Sequence, residues 1–177
     1  LLTGEKTLYG RLSFVLIVGT IPAVLAGYAL SLWGMDHVRS PLLIAGTSIG
    51  YGLALYLADR YGQTKRDMTS ITLKDGVVLG CAQALALIPG TSRSGVVMTF
   101  GRLLGLDRVS AARFAFLLSV PVIVGAGART AYQLKTGGTD MIVWTNLGVA
   151  ACLSFLFGLG AIHFMMLYIR RWSFAPF

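Results

Sequence analysis

Pro89-Gly90-Thr91-Ser92-Arg93-Ser94-Gly95 interrupts an apolar run and leaves a short segment on either side, Val77–Ile88 and Val96–Leu106. Each is too short to cross a bilayer alone and has the length of a re-entrant segment. Between them stand an arginine, three hydroxyls and two glycines. A charge at such a depth is costly and marks a functional position. The stretch reads as a broken helix pair, residues 77–106, whose turn faces a protected polar cavity and holds an anion there.

The surrounding chain agrees with a membrane setting. It has 177 residues, 55% of them hydrophobic and 12% charged, with a mean hydropathy of +0.73. This is the profile of a polytopic protein. Backbone groups in lipid must be satisfied within the chain, and strand-like alternation is absent, so the expected fold is all-α. Four full spans are expected at residues 12–33, 41–58, 114–134 and 141–169, with one re-entrant hairpin at 77–106, all in a single membrane domain over residues 1–177. Gly34 to Ser40 reads as a loop and Gly137-Gly138-Thr139-Asp140 as a turn. Asp59 to Asp75 and Asp107 to Arg113 read as polar connections, with Ser110 available to cap the helix that follows. Gly46/Gly50, Gly76/Gly80 and Gly101/Gly105 are small-xxx-small pairs that would let helices approach closely.

The formal net charge of +8 does not indicate nucleic acid, because the basic residues cluster at segment ends and form no stripe interleaved with aromatics. If residues 77–106 enter and leave on one side, that side collects eleven basic residues and the other three. A single crossing would give eight and six. The positive-inside rule selects the hairpin, entered from the cytoplasm with its tip near mid-membrane. Cys81 and Cys152, inside apolar segments, read as buried packing residues. His163 reads as a packed, hydrogen-bonded histidine. The start at Leu1-Leu2-Thr3-Gly4 and the end at Phe174-Ala175-Pro176-Phe177 read as cut from a longer chain.

At the tip, Pro89 ends the first half-helix and Gly90 permits the reversal. Ser92 or Ser94 can cap the second half-helix, whose first turn offers free N–H groups and the positive end of its dipole. Arg93 adds a fork suited to phosphate oxygens, and Thr91, Ser92 and Ser94 add hydroxyls. Phosphate or diphosphate is the ligand class this implies. The alternative for Arg93 is a tie between helix ends through their carbonyls. Gln83 is either a cavity liner or a helix–helix hydrogen bond, and Thr99 is either part of the site or bonded to a backbone carbonyl. Gly90 to Gly95 mimics part of a nucleotide P-loop, but Val96-Val97 follow where Lys and Ser/Thr are required. No carboxylate is expected beside Arg93, so the electrophilic half of a phosphoryl-transfer site is present without an evident base.

Gly80-Cys81-Ala82-Gln83-Ala84-Leu85-Ala86-Leu87-Ile88-Pro89-Gly90-Thr91-Ser92-Arg93-Ser94-Gly95 closely resembles the second signature of the undecaprenyl-diphosphate phosphatase family, the bacitracin-resistance membrane phosphatases. Phe114-Ala115-Phe116-Leu117-Leu118-Ser119-Val120-Pro121 and Ser173-Phe174-Ala175-Pro176-Phe177 resemble that family too. The resemblance implies an inverted-repeat helical fold of which this chain is the C-terminal part. It implies hydrolysis of undecaprenyl diphosphate at a site open to the periplasmic side of the bacterial inner membrane. Arg93, Ser92 and Ser94 would take the catalytic positions, and Gly90, Thr91, Gly95, Gln83 and Thr99 would bind substrate. The implied cofactor is a divalent metal, Mg or Ca, with its ligands outside this chain. They would lie in a Glu-rich first signature with a Pro-x-Ser-Ser-Thr-Gly-His turn, preceding Leu1. Val97 stands where many members carry threonine. The partners implied are a polyprenyl diphosphate lipid and the membrane, with a homodimer left open. The competing function is a transporter or flippase of an anionic polyprenyl lipid, since broken helices at mid-membrane also serve transport.

Overall fold

The computed structural model describes residues 2–33, 40–137 and 141–177. The expectations placed on Gly34–Arg39 and Gly138–Asp140 lie outside the described residues. The chain forms α1 (Leu2–Trp33), α2 (Pro41–Tyr61), a 3-10 turn (Met68–Ser70), α3 (Leu73–Leu85), α4 (Arg93–Leu103), α5 (Arg108–Thr136) and α6 (Met141–Ile169). Among the described residues there is no strand, only an isolated bridge between Arg66 and Leu106. Four stretches are long and apolar enough to cross a membrane: Tyr9–Leu32, Pro41–Tyr61, Arg108–Thr136 and Val143–Ile169.

Leu1–Val122 with Ser173–Phe177 make one compact unit and Ile123–Trp172 a second. In the first, α1 packs on α3, α3 on α4, and α4 on α2. Its interior is apolar at Val15, Leu79, Val96, Val97, Phe114 and Leu118, yet it also encloses Asp59, Gln83 and Arg102. Arg102 is 1% exposed while Leu42 is 83% exposed. Ionic groups inside and large apolar side chains outside reverse the order of a water-soluble domain, and lipid as the outer solvent accounts for that. In the second unit, Phe164, Tyr168 and Trp172 form a ring ladder along the end of α6, with successive centroids 6.3 Å apart.

The α3–α4 hairpin is tied down by local chemistry at both ends. Thr72 and Asp75 make a capping box at the start of α3. Gly105, at φ +85°, ends α4, with Leu106 N–H returning to the Gly101 carbonyl at 3.0 Å. Arg66 then joins the two ends. Its guanidinium donates to Asp75 Oδ1 (3.1 Å) and Oδ2 (2.5 Å), and also to the Leu104 carbonyl at 3.1 Å. Burial of Asp75 works against its charge, but hydrogen bonds from Arg66 and Thr72 outweigh it and hold its pKa below the usual carboxylate value.

The glycine pairs divide. On α3, Gly76 lies against Val15 of α1, and a Cβ on Gly80 would collide with the Gly19 carbonyl, so α1 and α3 meet backbone to backbone. Gly46 and Gly50 meet nothing within 4 Å among the described residues. Gly101 lies against Ala111 of α5, but Gly105 is a helix terminator.

Other expectations are also corrected. Cys81 and Cys152 are exposed, since both face outward from their helices. His163 is exposed on α6, with no hydrogen bond to a described residue. Asp107, not Ser110, caps α5: its Oδ1 accepts from Ser110 N–H at 2.9 Å. Residues 108–113 are therefore the first turns of α5 rather than a loop, and Asp59 to Tyr61 complete α2.

Candidate anion-binding site

Between α3 and α4 the chain reverses at Ile88-Pro89-Gly90-Thr91. Thr91 N–H donates to the Ile88 carbonyl at 3.2 Å, and Gly90 adopts φ +87°. Proline second and a positive-φ glycine third define a type II turn. Gly90 is required twice over, because a Cβ would also strike Thr47 and Ile44 of α2.

Ser92 caps α4, its Oγ accepting from Gly95 N–H at 3.2 Å, and Val96 N–H donates to the Ser92 carbonyl at 2.9 Å. The N–H groups of Gly90, Ser92, Arg93 and Ser94 make no hydrogen bond to any described residue. Those of Ser92, Arg93 and Ser94 lie at the start of α4, where the helix dipole is positive, and Gly90 lies just upstream of it. Arg93 is half-buried at the first position of α4, and its guanidinium likewise has no described partner. Thr91 is buried with its hydroxyl unpaired, and Ser94 is half-buried with no bond to a described residue. Such an arrangement favours an anion with several oxygens.

Gln83 and Thr99 each donate to a backbone carbonyl. Gln83 Nε2 donates to the Leu118 carbonyl of α5 at 3.5 Å, while its Oε1 is buried and unpaired. Thr99 donates to the Gly95 carbonyl at 2.8 Å, an ordinary bond within its own helix.

Two further residues at the tip have no counterpart in the sequence reading. Thr47 Oγ1 donates to the Pro89 carbonyl at 2.7 Å, and Ser48 Oγ to the Gly90 carbonyl at 3.0 Å. At the opposite end of α4, Arg102 Nε donates to Asp59 Oδ1 of α2 at 3.1 Å. Thr47 and Asp59 are twelve residues apart on one continuous helix, about 18 Å of rise. That distance separates the tip from the ion pair at the base.

The family profile described as "Bacitracin resistance protein BacA" matches residues 3–177. The chain belongs to this family. It is 45% identical over 174 residues to the undecaprenyl-diphosphatase of Hahella chejuensis (strain KCTC 2396), covering 98% of this chain and 65% of that protein. It is 42% identical over 173 residues to the undecaprenyl-diphosphatase of Alteromonas mediterranea, with the same coverage of each chain. It is 46% identical over 176 residues to undecaprenyl-diphosphatase 2 of Stutzerimonas stutzeri (strain A1501), again with 98% and 65% coverage. The chain thus spans just under two thirds of the length of these relatives.

The described residues of this BacA-family chain do not fit a divalent metal. No group of three His, Cys, Asp or Glu side chains converges among them. Asp59 and Asp75 are bound to arginines, and Asp67 and Asp107 are caps. None of the four pairs with Arg93.

Proposed function

We propose that this chain supplies the phosphate-binding half of a membrane phosphatase that hydrolyses undecaprenyl diphosphate to undecaprenyl phosphate and phosphate. The observation that carries the reading is the tip. The N–H groups of Gly90, Ser92, Arg93 and Ser94 and the Arg93 guanidinium, none with a partner among the described residues, stand at or just before a helix N-terminus. The names of the relatives supply the substrate class. In this reading the diphosphate is held by those donors, by Arg93 and by the hydroxyls of Thr91 and Ser94. Arg93 neutralises charge on the phosphoryl oxygens as the anhydride bond breaks. Ser92 keeps the first turn of α4 in place.

The base that orients water, and the ligands of a divalent metal, belong in this proposal to residues outside the chain. The hairpin is read as re-entrant. About 18 Å of α2 between the Asp59 ion pair and the tip, set against a hydrocarbon core of about 30 Å, supports a tip just beyond the midplane. That depth and the eleven-to-three charge asymmetry support a site reached from the periplasmic side.

The test is phosphate release from a polyprenyl diphosphate by the intact protein in detergent or liposomes. Release that is lost in Arg93→Ala supports the reading. Binding and transbilayer movement of the lipid without release would replace it with transport.

A further inference from the structure

The two α2 hydroxyls at the tip carry an inference that deepens the proposed function and rests on it. In a type II turn the central peptide has one orientation, with the second residue's carbonyl and the third residue's N–H pointing to opposite sides. Here that peptide joins Pro89 to Gly90. Its carbonyl accepts from Thr47 Oγ1 at 2.7 Å, so the Gly90 N–H points away from that hydroxyl. The next carbonyl, of Gly90, accepts from Ser48 Oγ at 3.0 Å. Thr47 Oγ1 also lies 2.9 Å from the Leu43 carbonyl and 3.1 Å from that of Ile44. It has one proton, and the contact to Pro89 is the shortest of the three.

Rotating the Pro89–Gly90 peptide by half a turn would convert the bend to type I. The Gly90 N–H would then face α2, and a carbonyl dipole would face the opposite side. A carbonyl presented to a phosphate repels it, whereas an N–H attracts it. The energy separating the two orientations is small in a free peptide, because glycine accepts either. A hydroxyl donor on one side selects between them.

We infer that Thr47, assisted by Ser48, is a positioning residue of the anion site. It holds the turn's carbonyls against α2 and thereby commits the Gly90 N–H to the same set of donors as the first turn of α4. Neither residue touches the anion in this scheme. They act through the orientation of one peptide plane.

The experiment compares Thr47→Val, which keeps the shape and removes the donor, with Thr47→Ser, which keeps the donor, in the intact protein. Isotope-edited infrared spectroscopy of a 13C-labelled Pro89 carbonyl reads the contact directly. The band is expected to move to higher frequency in Thr47→Val and to stay in place in Thr47→Ser. kcat/KM for polyprenyl diphosphate is expected to fall about tenfold in Thr47→Val, mainly through KM, the loss of roughly one hydrogen bond. Thr47→Ser should restore it. An unmoved carbonyl band in Thr47→Val overturns the inference, and so does a moved band with unchanged kcat/KM. If the wild-type protein releases no phosphate, the functional reading itself fails. Affinity for inorganic diphosphate then decides the positioning role: about tenfold weaker in Thr47→Val upholds it, and equal affinity removes it.

Discussion

Arg102 and Asp59 sit on different helices, almost wholly buried, with Nε 3.1 Å from Oδ1. The same carboxylate accepts from Arg108 Nε at 2.7 Å and from the backbone N–H of Phe174 at 3.1 Å. Arg102 spends its remaining donors on the carbonyls of Asp59, Gly62, Gln63 and Leu106. No polar atom of either side chain is stranded, which is the condition for tolerating a buried ion pair.

Removing one member should therefore be severe. Arg102→Met is expected to destabilise the protein by about 3–5 kcal/mol, because Asp59 would lose its buried partner. Arg108 is 35% exposed and screened by solvent, so Arg108→Ala should cost no more than about 1 kcal/mol. Thermal unfolding in detergent micelles, followed by circular dichroism, separates these outcomes. Equal losses for the two variants would contradict the ranking.

At the tip, Arg93→Lys should preserve the helix content and lower kcat/KM for polyprenyl diphosphate by ten- to a hundredfold. An ammonium cannot reproduce the two-pronged hydrogen bonding of a guanidinium, and a bond to a charged group is worth about 1.5–3 kcal/mol. Phosphate release at the wild-type rate would remove Arg93 from the site.

The glycines provide a paired test of helix packing. Gly80→Ala places a methyl into the Gly19 backbone and should cost about 1–3 kcal/mol or prevent folding. Gly46→Ala meets nothing among the described residues and should stabilise α2 by about 0.5–1 kcal/mol. Unfolding midpoints of the two variants, measured side by side, should move in opposite directions.

The Arg66–Asp75 pair predicts an acid limb. Asp75 titrates below its ordinary value in the folded protein. Its contribution is therefore complete above the unfolded carboxylate pKa of about 3.9 and is lost as pH falls through the lower, folded value. Arg66 is raised by its hydrogen bond to Asp75 and stays charged throughout. The unfolding midpoint should be level from pH 7 to 5 and drop below about pH 4. Asp75→Asn should flatten that drop, and an unchanged acid limb would show that other carboxylates govern it.

How much of this was legible in the sequence depended on the range of the interaction. The tip could be read because Pro89, Gly90 and Ser92 each carry a local instruction: end a helix, reverse the chain, cap the next helix. The four long apolar helices could be read from length alone. Thr47 and Ser48 could not, since each bonds a carbonyl 42 residues away and threonine in an apolar helix carries no mark of its target. Asp59 and Arg102 were similarly hidden, because charged residues at helix ends look the same whether they face water or each other. Gly46 and Gly50 show the converse limit. Small residues at that spacing permit a neighbour without supplying one. Ser110 misled because Asp107 lies just upstream and is the cap that the first N–H groups of α5 meet.

Phe174 gives the buried ion pair a place in time. Its backbone N–H reaches a carboxylate made 115 residues earlier. During synthesis Asp59, Arg102 and Arg108 all leave the ribosome well before it. Oδ2 of Asp59 can meet this donor only after α6 has been made. The joint at the foot of the hairpin is therefore closed from downstream of α6, by a backbone donor synthesised after every other group that meets this carboxylate.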